Sequence, residues 1–404
     1  MKNPNLNPKA QNLSDYPFDR LRALLDPVSP PDGVTPLALS IGEPKHTPPA
    51  LIQETINAHS DLWDRYPPID GTADFRAAVA GWLKRRFALS DGFIDADSQI
   101  LPVVGTREAL YLAAMLAVDA SPDKQRPAVL FPNPLYHVYS GAAEMSGAEA
   151  VTMPATHDSN FLPDLDALGD ETLNRAAIMY LCTPSNPQGT VADAAYLEKA
   201  ILLARKHGFV LAVDECYSEI YSDTPPVGGA EICEKLGQGM DNVLIFHSLS
   251  KRSSAPGLRS GFVAGDATLI KAFKRLRSFG GATMPMPIQA ASAALWRDEA
   301  HVEENRALYR QKFDLADQLF KGRFGYVRPA GGFFLWLDVS DVGGGEMAAK
   351  KLWQEAGLRV LPGAYLSRLE PDDSTPGDDY IRVALVHPPE ITITALEQIL
   401  KVLR

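Results

Sequence analysis

Val243-Leu244-Ile245-Phe246-His247-Ser248-Leu249-Ser250-Lys251 opens the stretch that decides this fold, and Gly257, Arg259 and Gly261 close it. The apolar residues 243–246 read as a strand covered on both faces, being short, β-rich and continuous. Lys251 therefore stands just past a strand end, on a rigid point. Ser248, Ser250 and Arg259 lie within eight residues of it. An amine condenses with an aldehyde, while hydroxyls and a guanidinium bind phosphate. On these residues alone, a Ser-rich surface turn with solvated basic side chains is an equal reading.

Outward from this stretch the same pattern recurs. Apolar runs at 101–104, 128–131, 178–182, 209–213 and 261–264 join 243–246, with helical periodicity at 107–118 and 195–207 between them. Alternating strands and helices predict an α/β domain with a mostly parallel sheet. The C-terminal part differs. A long helical pattern around 299–320 leads to Phe333-Phe334-Leu335-Trp336-Leu337, then a helix, a short strand at 380–385 and a closing helix from Glu390. That predicts a smaller α+β domain. Gly331-Gly332 is a hinge or a tight turn at its first strand. The Pro-rich residues 27–36 separate an N-terminal helix from Leu39-Ser40-Ile41-Gly42, expected to join the small domain. The expected division is 1–44 for the arm and part of the small domain, 45–290 for the large domain, and 291–404 for the small C-terminal domain.

At 404 residues the chain is long enough for two such cores. A net charge of -11 with no Lys/Arg-rich stripe argues against a nucleic-acid partner. No apolar run is long enough to span a bilayer. The polar start, MKNPNLNPKAQNL, lacks the pattern of a signal peptide and reads as a mobile arm. Cys182, Cys216 and Cys233 form neither a C-x-x-C pair nor an even framework, which suits a reducing, cytoplasmic compartment. Cys182 and Cys216 are expected to be buried thiols. The histidines show no metal-like i, i+4 pair, so no metal site is expected, and His247 reads as a packed strand residue.

In open parallel sheets, ligands bind outside the carboxyl ends of the strands, where the polar residues of this chain gather. Gly105-Thr106-Arg107 follows one strand and opens a helix, offering backbone N–H groups to a phosphate. Tyr136 follows the next and is placed to stack on a flat ring, or simply to pack. Asn186, in Thr183-Pro184-Ser185-Asn186-Pro187, follows the third, in residues that would equally serve a surface turn. Asp214 ends the run 209–213, and a buried carboxylate is costly unless paired. A protonated pyridine nitrogen is a suitable partner; a helix N-cap is the plainer alternative. Tyr217 adds a phenol nearby.

Taken together, Asn186 in its Pro-x-Asn-Pro setting, Asp214-Glu-x-Tyr217, and Ser248-x-Ser250-Lys251 with Arg259 resemble the class I/II aminotransferases of pyridoxal-phosphate fold type I. The resemblance runs from Ile41-Gly42-Glu43-Pro44 to Arg382, in order and in separation. It implies a transaminase with pyridoxal 5'-phosphate as cofactor, amino-acid and 2-oxo-acid substrates, and a homodimer. Lys251 resembles the lysine that holds the cofactor and moves the proton. Asp214 resembles the carboxylate on the ring nitrogen, Asn186 and Tyr217 the donors to the ring oxygen, and Tyr136 the stacking aromatic. Thr106, Arg107, Ser248, Ser250 and Arg259 resemble the phosphate cradle, and Tyr66 the tyrosine that reaches the neighbouring subunit's phosphate. Arg382 and Gly42 resemble the groups that bind the substrate α-carboxylate.

The N-terminal Tyr16-Pro17-Phe18-Asp19-Arg20-Leu21-Arg22-Ala23-Leu24-Leu25, with Ser40-Ile41-Gly42-Glu43-Pro44, resembles the N-succinyldiaminopimelate aminotransferases of bacterial lysine biosynthesis. An aspartate, alanine or aromatic aminotransferase is the main rival. A β-lyase or synthase on the same scaffold is a lesser one, as is a non-catalytic cofactor-binding regulator. Arg20, Lys45, Arg252 and Arg328 are candidates, on charge alone, for reading the distal end of the substrate.

Overall fold

The computed structural model describes residues 6–370 and 373–404, so the first five residues of the polar arm lie outside the described residues. The strand ending in Ser248 sits near the middle of a seven-stranded sheet. Its order is Ile100–Val103, Gly261–Gly265, Val243–Ser248, Val210–Asp214, Ala176–Cys182, Ala128–Asn133, Glu149–Pro154. The strands from Val243–Ser248 to Glu149–Pro154 pair in parallel, and Gly261–Gly265 runs antiparallel to both its neighbours. The sheet is thus mostly parallel, as the alternating runs predict.

Continuous apolar runs are explained by burial on two sides. Leu130, Met179, Leu181, Leu211, Val213, Val243 and Ile245 enter one core. Their chain neighbours Val129, Ile178, Tyr180, Ala212, Leu244 and Phe246 enter another on the opposite face. A side-chain period of two delivers alternate residues to the two layers, so neither set can be polar. Glu149–Pro154 is the strand the sequence does not announce. It lies at the sheet edge and is only partly buried, so it carries no continuous apolar run.

A third core lies at the C-terminal end of the chain. Helices Ala300–Phe320, Gly345–Ala356 and Pro389–Val402 pack on a three-stranded antiparallel sheet ordered Leu361–Pro362, Tyr380–Ala384, Phe334–Asp338. Leu39 is buried in this core, and Leu37–Ala38 pairs in parallel with Leu358–Arg359. The arm helix Pro17–Leu25 buries Leu21 and Leu25 against Trp336, Trp353 and Tyr365. Gly331 bridges to Tyr221, and a Cβ there would meet the Pro184 side chain. The Gly331-Gly332 pair thus marks a close backbone approach. Cys182 and Cys233 are buried. Cys216, expected to be as buried as Cys182, is only half-buried because it lies in the loop past Asp214.

Candidate active site

Register explains how the phosphate-binding candidates meet. Gly261 pairs with Ser248 on one side and Val103 on the other. That places the entry of its strand, and Arg259 two residues earlier, between the Gly105 turn and the Ser248 turn. Arg259 holds φ +56, and its guanidinium donates to Val104 O at 2.9 Å and to Pro256 O at 3.0 Å. Gly105 holds φ +83, and a Cβ there would come within 2.9 Å of Arg259 Cζ, so only glycine leaves room for the guanidinium. Thr106 opens the helix Thr106–Ala117, whose first-turn N–H groups have no partner within the helix. Ser248 caps the next turn by accepting from Ser250 N at 3.1 Å and donates to Ser250 Oγ at 2.9 Å. Arg107 Nε donates to Tyr136 Oη at 2.9 Å.

Asp214 ends its strand between Cys182 and Phe246. The carboxylate is buried and takes only neutral donors: Tyr139 Oη at 2.9 Å and Cys216 N at 3.3 Å. Burial raises its pKa above the usual carboxylate range, against the pull of those donors. Tyr139 itself stacks on Tyr180, ring centroids 4.6 Å apart. Sequence reading missed Tyr139. Tyr139 lies in the first turn of the helix His137–Ser146, which Tyr136 precedes as its N-cap.

Two cations, Lys251 and Arg382, lie at the site as well. Lys251 Nζ donates to Gly42 O. Burial, helped by the charges of Arg382 and Arg259, lowers its pKa to about 8. Arg382 is buried and donates to Asn186 Oδ1 at 2.8 Å and to Ser40 O at 2.6 Å. Burial lowers its pKa to about 10. With Oδ1 occupied, Asn186 keeps Nδ2 as its donor, and that group meets no protein acceptor among the described residues. Arg382 Nε and Ser40 Oγ are likewise buried without partners among the described residues. Tyr217 is buried with its ring edge-on to Phe333 and Phe334. Gly42 lies against Phe334, where a Cβ would come within 2.7 Å of the ring.

Tyr66 is not brought to this cluster within one chain; it is 98% exposed. Of the distal-end candidates, Arg252 is buried between Trp82 and Trp296 and bonds to Leu295 O and Glu299, and Arg328 pairs with Asp314 and Asp317. Both are committed to packing. Lys45 pairs with Glu43, and Arg20 covers the Tyr365 ring at 4.0 Å. A cavity of about 610 Å³ opens beneath the arm instead, lined by Tyr16, Arg107, His137, Arg259 and Arg368. Arg368 donates to Ser140 Oγ at 2.6 Å. Burial, then the charges of Arg107 and Arg382, lowers the His137 pKa to about 4, so this ring is neutral near pH 7. Nothing local marks Arg368 in the sequence; it reaches the cavity only through the tertiary fold.

The charges of the cluster are uncompensated. Asp214 has no cation within ion-pair distance, and Lys251, Arg382, Arg259 and Arg107 have no carboxylate, among the described residues. Such an arrangement suits a ligand that is cationic at one end and anionic at the other.

The comparisons with known proteins converge. The family described as aminotransferase class I and II matches residues 34–399. An LL-diaminopimelate aminotransferase of Dehalococcoides mccartyi (strain CBDB1) is 30% identical over 390 residues, covering 95% of each chain. The 4-dedimethylamino-4-oxo-anhydrotetracycline transaminase OxyQ of Streptomyces rimosus is 32% identical over 382 residues, covering 93% of this chain and 95% of that one. A crystal structure of an aminotransferase from Neisseria meningitidis Z2491 superposes with a TM-score of 0.93 at 39% identity, covering 99% of this chain and 100% of that one. The chain belongs to the class I and II aminotransferases, which depend on pyridoxal 5'-phosphate.

Proposed function

We propose that this aminotransferase moves the α-amine of N-succinyl-LL-2,6-diaminopimelate to 2-oxoglutarate, giving the 2-oxo acid and L-glutamate. The uncompensated charges fit the cofactor. Asp214 would face the protonated ring nitrogen, Asn186 Nδ2 and Tyr217 the ring oxygen, and Tyr136 the ring face. Thr106 and Arg107, through their backbone N–H groups, with Ser248, Ser250 and Arg259, would hold the phosphate. When bound, the cofactor supplies the electron sink that makes removal of the α-proton feasible. Lys251 accepts and returns that proton. Its pKa of about 8 leaves part of the amine neutral near pH 7, as a base must be. Arg382 binds the α-carboxylate bidentately and so fixes which bond at Cα is aligned for reaction.

The substrate reading rests on the cavity of about 610 Å³ beneath the arm. It has room for a long side chain, and although Asp15, Glu108 and Glu144 also line it, Arg107 and Arg368 have no carboxylate within ion-pair distance among the described residues. A distal carboxylate would complete them. Free LL-diaminopimelate is the second reading, favoured by the Dehalococcoides mccartyi relative's printed activity. A two-fold dimer, with the exposed Tyr66 passed to the partner's phosphate, a cytoplasmic location, and the division at 44 and 290 belong to the same reading. The test compares kcat/KM for the succinylated and free diaminopimelates, aspartate, alanine and phenylalanine, with 2-oxoglutarate as acceptor. The succinylated donor should lead. A lead for the free diamine selects the second reading, and a lead for any simple amino acid overturns both.

A further inference from the structure

A buried polar chain runs from the main chain of Lys251 to Lys312. Asn305, on the helix Ala300–Phe320, donates from Nδ2 to Lys251 O at 3.1 Å and to Arg252 O at 3.3 Å. Its Oδ1 accepts from Ser254 Oγ at 2.9 Å and meets His46 Nδ1 at 2.7 Å. His46 Nε2 in turn meets Lys312 Nζ at 2.6 Å, and Lys312 donates to Leu385 O at 2.8 Å. His46, Asn305 and Lys312 are all buried, Lys312 completely.

Donor accounting fixes the direction of this chain. Both Nδ2 hydrogens of Asn305 are spent on main-chain carbonyls, so its Oδ1 only accepts. His46 must then donate from Nδ1, which leaves Nε2 as an acceptor for Lys312. The tautomer follows from the network. Along Lys312, His46 and Asn305 each hydrogen points toward the Lys251 peptide, and a second Lys312 hydrogen goes to Leu385 O. Two donor hydrogens on Lys312 suffice for His46 and Leu385, so a neutral amine leaves none unsatisfied. No carboxylate lies within ion-pair distance of Lys312 among the described residues. The groups facing it are His46, the Tyr309 ring at 4.5 Å, and, farther off, Glu390 on the last helix.

The chain therefore ties three separate parts to one peptide. Through His46 it reaches the segment carrying Gly42, whose carbonyl accepts from Lys251 Nζ. Through Leu385 it reaches the residue just past the strand Tyr380–Ala384, which carries Arg382 three residues back. We propose that Lys312, acting through His46 and Asn305, is a positioning residue that sets Lys251 against Arg382 and couples their alignment to its own protonation. The inference rests on Lys251 being the lysine that carries the cofactor. Burial lowers the Lys312 pKa to about 7, and burial together with Lys312's charge lowers that of His46 to about 4. The amine is thus about half neutral at pH 7, and its protonation puts a third hydrogen where only the Tyr309 face receives it.

The experiment titrates the visible absorption of the cofactor-loaded enzyme against pH, for the wild type, Lys312→Met and His46→Gln. Lys312→Met should shift the absorption midpoint by half a pH unit or more and lower kcat about tenfold, with KM for 2-oxoglutarate within twofold. His46→Gln, which keeps a donor and an acceptor, should restore most of kcat relative to His46→Leu. If Lys312→Met does not fold, the two His46 variants carry the test alone. An unchanged midpoint and kcat in the folded variants, with only the melting temperature lowered, overturns the proposal. Borohydride fixing separates the two readings. Label on a lysine other than Lys251 sinks the assignment of Lys251, whereas label on Lys251 with no shift sinks the relay alone.

Discussion

Two buried groups of charge sit in this chain and are built on opposite rules. Around Glu219 every charge is answered. Arg86 Nε donates to Glu219 Oε1 at 2.5 Å, and Arg306 reaches Glu219 Oε2 at 3.2 Å and also Glu303. Arg310 completes the group on Glu303 at 3.0 Å, and Arg306 covers the Tyr221 ring at 4.1 Å. Around Lys251, Arg382 and Asp214 no charge is answered within ion-pair distance among the described residues. Both arrangements bear the cost of desolvation, but only the first recovers it within the chain. The second recovers it from what binds there.

The sharpest way to break this contrast is to remove the lone carboxylate. Asp214→Asn keeps the shape but deletes the charge and leaves one acceptor oxygen where Tyr139 and Cys216 donate to two. Turnover should fall on the order of 10³-fold, the loss expected when one preorganised electrostatic partner of the reacting group is removed. Protein stability should hold or rise, because an amide is cheaper to bury than a carboxylate. Near-normal turnover would place Asp214 outside the chemistry.

Glu219→Ala probes the other group. It leaves Arg86 without a carboxylate and Arg306 with Glu303 alone, so unfolding free energy should drop by roughly 3 kcal/mol. The cofactor absorption of the folded fraction should stay as in the wild type. Chemical denaturation followed by fluorescence measures the first, and a spectrum of the loaded enzyme the second. A variant with full stability but altered absorption would reverse the roles assigned to the two groups.

The smallest effect concerns Lys312, a buried cation outside both groups. Its folded pKa of about 7 lies below the ordinary lysine value of 10.5. Between those values the unfolded chain holds a proton that the folded chain has released. Stability therefore rises with pH across that window, by at most about 1.4 kcal/mol per unit from this one group. Below pH 7 both states are protonated and the penalty is constant. Lys312→Met should remove that slope from a series of unfolding curves taken between pH 7 and 10. An unchanged slope would mean that Lys312 stays charged in the folded protein.

Much of the site is legible because its residues are local to strand ends. An apolar run followed by a polar residue marks Asp214, the Asn186 loop and the Ser248–Lys251 turn without any knowledge of distant contacts. Burial on both faces makes such runs continuous, and the parallel sheet then lines their ends along one edge. The edge strand Glu149–Pro154 escaped for the converse reason: half-buried, it has its apolar residues interrupted by Glu149 and Thr152. Tyr66 is legible only as part of a resemblance, since nothing in the single chain gives its exposed hydroxyl a partner.

The sequence by itself determined the alternation of most strands and helices, the α/β class, the lysine, the carboxylate and the turns proposed to hold phosphate. All of these depend on neighbours within about ten residues. Tertiary structure alone decided that Gly261–Gly265 runs antiparallel and so carries Arg259 to Gly105, and that Tyr139 supports Asp214. It also decided that Arg368 lines the cavity beneath the arm, and that His46, Asn305 and Lys312 form one chain behind Lys251. These contacts join residues separated by tens to hundreds of positions. No periodicity or short motif encodes them, because each depends on how two elements come to rest after the cores have packed.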